Sequence, residues 1–339
     1  MKFKFNPAFY LVLCAIIISP TQASDELNVY SARKEAYIKP LLDQFAHIHN
    51  VQVNLVTSKA DALIQRLIGE GKNTPADVLI TVDAGRLHRA RQADLLQPID
   101  TSRFANAAPS QFQDPEGYWF GLSLRARTLV YHPQRVTAQQ LSDYESLADA
   151  QWKKRICVRS SNNIYNQSLV ASMIAHHGGE ATQQWAKQLV NNFARNPQGG
   201  DRDQIKAVAA GLCDIALVNS YYLGGMLNGS DAEQAAARQV KLFWPNQNGR
   251  GAHMNISGIA VTKYANNLPL AIQLIEFLYT DAAQAWYGDA NMEYPVRKGI
   301  TTNPILLSWG DYKADNLPLK QLGTHNAEAV KIMDRAGWK

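Results

Sequence analysis

The hydrophobic positions fall into short apolar runs separated by longer stretches in which apolar side chains recur every three or four residues. Leu27-Asn28-Val29-Tyr30 is a β-prone run. Ile38, Leu41, Leu42, Phe45 and Ile48 then fall at helical spacing, residues 51–56 return to a strand pattern, and Leu63, Ile64, Leu67 and Ile68 mark a second helix. Pro75-Ala76-Asp77 leads into a third strand over 78–81, and a helix is predicted over 86–94. Strands alternating with helices predict an α/β protein with a mostly parallel sheet.

The rhythm changes around 117–132. Gly117-Tyr118-Trp119-Phe120-Gly121-Leu122 and Thr128-Leu129-Val130-Tyr131 read as longer extended pieces, suited to crossing between two lobes. A second lobe is predicted from 133 to 239. It has strands at 155–159 and 214–218 and helices at 163–177, 181–194 and 202–211, the last with Asp201 as N-cap. Strands at 240–243 and 255–262 return the chain to the first lobe, whose outside is assigned the helices at 266–280, 282–288 and 324–336. The expected fold is α/β and two-lobed, with mixed sheets flanked by helices and a hinge of crossing strands. Residues 24–132 and 240–339 form lobe 1, and 133–239 form lobe 2.

Composition bears on size and compartment. A chain of 339 residues, 46% of them hydrophobic, can fill two cores. Lys2 and Lys4, the apolar run 9–18 and Thr21-Gln22-Ala23 read as a secretory signal cleaved before Ser24. A lipoprotein anchor at Cys14 is the rival, opposed by the bulk of Leu13, and the run is short for an uncleaved spanning helix. Losing 1–23 takes the formal charge from +5 to +3. So mild a balance, with no long basic block, argues against nucleic-acid binding. Cys157 and Cys213 remain, in two strand-like segments. An even count in an oxidising compartment points to a disulfide, with two buried thiols as the alternative.

No catalytic constellation is present. The sequence has no Gly-x-Ser-x-Gly elbow, no phosphate-binding loop, no Gly-x-Gly-x-x-Gly after a strand, no His-Glu-x-x-His and no paired Cys-x-x-Cys. His176-His177 closes a predicted helix, where positive charge is favoured. The tyrosines differ in kind. Tyr221-Tyr222 follows an apolar strand, and Tyr165 stands at the start of another helix. Phenols are poor ligands for most divalent ions, but a trivalent hard cation displaces their protons and prefers oxygen. Three phenolates would invite Fe³⁺. Adjacent strand residues point to opposite faces, so convergence of Tyr221 and Tyr222 calls for a turn, which Gly224-Gly225 permits. A small anion would complete the coordination. The helix start after residues 160–163, with Arg125, Arg127 and Arg33 near the crossing, could hold it. Aromatic packing, or a stacking surface for a carbohydrate or peptide, explains the tyrosines equally well at this level.

The chain resembles the ferric-iron-binding proteins of ABC transporters, the FbpA/FutA-like group of periplasmic binding proteins. Val29-Tyr30-Ser31-Ala32-Arg33, residues 75–83 and 119–127, Val158-Arg159-Ser160-Ser161-Asn162-Asn163-Ile164-Tyr165-Asn166, residues 197–203, Asn219-Ser220-Tyr221-Tyr222, Asn255-Ile256-Ser257-Gly258 and Glu293-Tyr294-Pro295-Val296 carry the resemblance. It implies a monomeric periplasmic receptor, not an enzyme, that hands Fe³⁺ to an inner-membrane permease and its ATPase. Tyr165, Tyr221 and Tyr222 would be the ferric ligands, and Arg125, with Arg33 or Arg127, would hold a synergistic carbonate or similar anion. Several relatives carry His or His-Tyr after the first strand. Here Arg33-Lys34-Glu35 stands in that place, which leaves the first lobe without an evident ligand and Tyr37 as a packing residue. The competing class is a receptor for an organic cation such as a polyamine or thiamine, which would need acidic pocket residues.

Overall fold

The computed structural model describes residues 25–104, 107, 109–300 and 303–339; the expected leader and its expected cleavage site lie outside the described residues. In chain order the first elements are β1 (Glu26–Ser31), α1 (Glu35–His49), β2 (Gln52–Thr57), α2 (Ala60–Glu70), β3 (Val78–Val82), α3 (Ala84–Gln92) and β4 (Phe120–Tyr131). There follow β5 (Ile156–Cys157), α4 (Ile164–Asn191), α5 (Asp201–Ala209), β6 (Ile215–Asn219), α6 (Ser220–Leu227), α7 (Asp231–Arg238), β7 (Lys241–Phe243) and β8 (Met254–Val261). The chain closes with α8 (Leu268–Leu278), α9 (Asp281–Asn291), β9 (Tyr294–Pro295), α10 (Pro304–Ser308), α11 (Lys320–Thr324) and α12 (Asn326–Arg335). Among the described residues no helix is long and apolar enough to cross a membrane.

The strands run in the order β2-β1-β3-β8-β4-β6-β5, with β7 and β9 also pairing with β4. β1 is parallel to β2 and β3, β5 is parallel to β6, and β8 and β4 are antiparallel to their neighbours. The sheet is therefore mixed. β4 is one continuous strand where the sequence pattern showed two pieces, and all twelve of its residues are buried. Its first half pairs with β8, from Phe120 to Ala126, and its second half pairs with β6, from Arg127 to Tyr131. Buried on both faces, the strand loses the alternation that marks a half-exposed one.

Two cores form around that strand. Val29, Ile80, Phe120, Leu122, Ile256 and Leu274 belong to the first. In the second, Leu129, Ile215 and Leu217 point toward α4. Val130, Ala216 and Val218 point the other way, toward Ile205 and Val208 of α5. This is the period-two alternation of a sheet covered on both faces. The two helices expected at 163–177 and 181–194 are joined at Gly178, whose φ of 78° breaks the helical path between them.

The sequence reading assigned the last helix to the first lobe. The structure packs α12 on the second core instead, where Ala329, Ile332 and Met333 meet α4 residues such as Val170 and Ile174. The i, i+3, i+4 stripe was legible, but the partner it faces was not. Cys157 and Cys213 form a disulfide that ties β5 to the loop position two residues before β6.

Candidate metal centre

α4 and α6 each begin at the C-terminal side of the second core's sheet, and each carries tyrosine in its first turn. Asn163 caps α4, its side chain accepting from the backbone N–H of Tyr165 at 3.2 Å. The helix start offered to an anion is thus partly satisfied by its own cap. α6 follows directly on β6, and Tyr221 and Tyr222 converge inside this helix, not in a turn. Successive side chains on a helix diverge by about 100° instead of a strand's 180°. The two rings pack with centroids 4.3 Å apart.

These tyrosines line a cavity of about 220 Å³, walled by Arg125 from β4 and by residues of the first core. Arg125 is 6% exposed. Its guanidinium carbon lies 4.3 Å from the centre of the Tyr221 ring and 5.1 Å from that of Tyr165, and its Nη1 donates to the Tyr165 hydroxyl at 3.4 Å. Burial by itself would raise the Tyr165 pKa, but the Arg125 charge and the nearby Tyr221 hydroxyl outweigh it and hold that phenol below its ordinary value. Tyr221 is pushed well above the ordinary value by burial, and Tyr222 is pushed up to about 12 by burial and by Tyr165 and Asp201. The Tyr221 hydroxyl is buried without a hydrogen-bond partner outside the three phenols.

Opposite the phenols, Glu293 organises the cationic wall. It is 3% exposed and accepts from Arg33 Nη1 at 3.1 Å, from Ser257 Oγ at 3.0 Å and from Ser123 Oγ. Arg125 Nε approaches it at 3.2 Å. Burial opposes the charge, but Arg33, Arg125 and the Ser123 hydroxyl hold the carboxyl below its usual range. Arg33 also lies over the Tyr287 ring at 5.5 Å.

Arg127, two residues along β4, does not line this cavity. Its guanidinium donates to Asp201 at 3.2 Å, to Asn219 Oδ1 at 3.0 Å and to Asn166 Oδ1 at 2.5 Å. It ties β4 to α4, α5 and β6. Asp201, expected as an N-cap, is instead the first residue of α5 and fully buried as Arg127's counter-ion, with Gly200 in the cap position. Glu35 does not reach the cavity, whereas Tyr37, expected to pack, lines it, as do Lys34, Arg202, Asn291 and Met292. These last four carried no signal of their own in the sequence. Among the described residues no group of three or more His, Cys, Asp or Glu side chains is placed to hold a metal. His176 and His177 face Asp315 and Glu145 separately, at 2.8 and 2.7 Å.

The two cores meet at the cavity. Met292, left-handed at φ 54°, packs on Gly224 of the tyrosine helix. Asp83, also left-handed at φ 80°, accepts from Ser168 of α4 at 2.7 Å and from Asn255 of β8 at 2.8 Å.

A family model described as bacterial extracellular solute-binding protein matches residues 73–309, well over half the chain. The chain belongs to that family. Among similar proteins is the iron uptake protein A1 of Synechocystis sp., 45% identical over 315 residues that cover 93% of this chain and 88% of that protein. The iron uptake protein A2 of the same organism is 42% identical over 335 residues, covering 96% and 95%. A solved Trichodesmium structure (IdiA, FutA), in complex with iron and citrate ligands, is 48% identical, with a TM-score of 0.90, and covers 93% of this chain and 100% of that one. The two cores that share β4 are accordingly the two lobes of a periplasmic binding protein fold, and α4 and α6 carry the tyrosines on one side of its cleft.

The cleft contact gives a contrast within one dipeptide of this solute-binding protein. A Cβ at Gly224 would lie 2.9 Å from Met292 Cβ and Cγ, whereas one at Gly225 would meet the tip of Arg202 at 3.1 Å. Alanine is favoured over glycine inside a helix by about 1 kcal/mol. Gly225→Ala is therefore expected to leave stability unchanged or raised by up to about 1 kcal/mol. Gly224→Ala is expected to lose about 1–3 kcal/mol from overpacking. Urea unfolding midpoints compare the two, and equal stability would contradict the close approach.

Proposed function

We propose that the protein captures ferric iron through the phenolate oxygens of Tyr165, Tyr221 and Tyr222. A small synergistic anion, carbonate or a similar oxyanion, would be held by Arg125 with help from Arg33. The observation that carries this reading is the convergence of three phenols, from two helix starts 56 residues apart in sequence, on one cavity beside a buried guanidinium. Phenolate is a hard, strongly basic oxygen donor, and a trivalent cation is the charge that displaces its proton. The Tyr221 hydroxyl, buried beside the Tyr165 and Tyr222 phenols and bonded to no group outside the three, fits a ligand position.

The cationic wall argues against an organic cation. Arg33, Lys34, Arg125 and Arg202 line the cavity, and its one carboxylate, Glu293, is already engaged by two arginines and two serines. The same wall suits the negative charge that accompanies a ferric centre. Membership of the solute-binding family and the printed names of the iron uptake proteins support presentation of the bound ion to an ABC importer. The periplasm is the corresponding place of work, and Arg127 is assigned a structural part instead of an anion-binding one. In this reading the lobes close over the ion by a hinge at the crossing strands.

Replacing all three tyrosines with phenylalanine is expected to abolish tight ferric binding and the visible absorption of phenolate-to-iron charge transfer. Each single replacement should cost more than the roughly 10–100-fold typical of losing an outer-sphere partner. Chelator competition followed by absorbance measures both, and unchanged ferric affinity in the triple variant would sink the assignment.

Protons compete with the metal for the phenolates. Tyr221 and Tyr222 are protonated in the free protein at neutral pH, because both pKa values are raised. Ferric binding must release those protons, so affinity falls as pH falls. At buffered ferric activity, log affinity is expected to drop by at least about two per pH unit on acidification from neutrality, one for each of these phenols. A flat profile in competition titrations would contradict phenolate ligation.

A further inference from the structure

Tyr165 from α4 and Tyr221 and Tyr222 from α6 face a wall of the first core in which Arg33, Lys34, Tyr37 and Glu293 stand beside one side-chain amide, that of Asn291. Asn291 is the last residue of α9 and is 6% exposed, yet neither its Nδ2 nor its Oδ1 has a hydrogen-bond partner. Buried amides are nearly always satisfied by protein, water or ligand. In the same wall Arg33 Nε is likewise buried without a hydrogen-bond partner, whereas Arg125 Nε is turned to Glu293 Oε1 at 3.2 Å. Asn291 and Arg33 thus bring unused N–H groups to the lining of one polar cavity.

The position of Asn291 is held from its C-terminal side. Met292 packs on Gly224 across the cleft, and Glu293 clamps Arg33 and Arg125. Its neighbours therefore hold Asn291 between the tyrosine helix and the arginine wall, at the lining of the cavity that both share. An amide N–H does not ligate a hard cation. It donates to an oxygen that already carries negative charge.

We propose that Asn291 is the first lobe's binding residue, its side-chain amide donating to an oxygen of a carbonate-class anion that Arg125 holds beside the metal. The first lobe then touches the ferric centre through the anion, and no protein ligand from that lobe is needed. The proposal rests on the reading of the cavity as a ferric site with a synergistic anion.

The test loads the full mature protein with ferric ion buffered by EDTA across a series of bicarbonate concentrations. It compares wild type with Asn291→Leu, which is close in shape, and Asn291→Asp, with thermal melting of the metal-free proteins as a check on folding. Asn291→Leu should raise the bicarbonate needed for half-maximal loading by at least about tenfold, the loss expected for one hydrogen bond to a charged group. Its phenolate-to-iron absorption should persist, because the tyrosines are untouched. Asn291→Asp should shift the requirement further, since it sets a like charge against the anion. A bicarbonate dependence in Asn291→Leu equal to that of wild type would overturn the proposal. So would tighter, bicarbonate-independent loading of Asn291→Asp, which is the signature of direct ligation by Oδ1. Wild-type loading that ignores bicarbonate but keeps the absorption overturns this proposal and leaves the tyrosine site standing. Wild type that takes up no iron removes both.

Discussion

A guanidinium buried near the middle of the strand that crosses both cores is the constraint on which the site depends. Arg125 cannot shed its proton, so its charge must be compensated where it lies. Glu293 does this from the first-core side, and the faces of Tyr165 and Tyr221 do it from the second. The one charge therefore gathers its neighbours. It draws the first core's carboxylate to the cavity, stacks two phenols over itself and holds Tyr165 below its ordinary pKa against the effect of burial. Breaking a buried pair of this kind by removing one partner typically costs about 3–5 kcal/mol. The arrangement thus couples the stability of the crossing to the chemistry of the cavity.

Position along β4 decides what each arginine does. Arg125 and Arg127 lie two residues apart and so on the same face of the strand. Arg125 sits opposite Asn255 in the first core's ladder, and Arg127 opposite Asn219 in the second's. Asp201 is available at the second position and takes up Arg127. At the first, the carboxylate is shared with Arg33, and part of the guanidinium remains turned to the cavity. The pair shows how residues indistinguishable in sequence become a strut and a site.

Much of the fold was legible because its signals are local. The helical spacing of Ile38, Leu41, Leu42 and Phe45, the strand runs at β1 to β3 and the change of rhythm at β4 all follow from periodicity. Cysteine parity pointed to the disulfide but left two buried thiols as an alternative, and Cys213 lies just outside the strand in which the sequence pattern put it. Partners distant in sequence were not legible. The stripe on α12 announced a buried face but not α4 as its partner, and Asp201 looked like a cap because its bond to Arg127 spans 74 residues. The helix at Tyr221-Tyr222 was missed because Gly224 and Gly225 are poor helix formers. Close packing of Met292 requires the first of them. Tyr165, Tyr221, Tyr222, Arg125, Arg33 and Arg127 were chosen by residue chemistry and family resemblance, and all but Arg127 line one cavity. Asn291 carried no signal in the sequence, and Glu293 belonged to a stretch of the resemblance without a role of its own; burial and neighbours place both at the cavity.

The central claim is that one ferric ion sits on the three phenolate oxygens. Anomalous diffraction from crystals of the iron-loaded protein, recorded above and below the iron absorption edge, tests it most directly. A single iron peak within bonding distance of the hydroxyl oxygens of Tyr165, Tyr221 and Tyr222 is the predicted result. An iron peak elsewhere on the molecule, with those three hydroxyls unbonded, would contradict it.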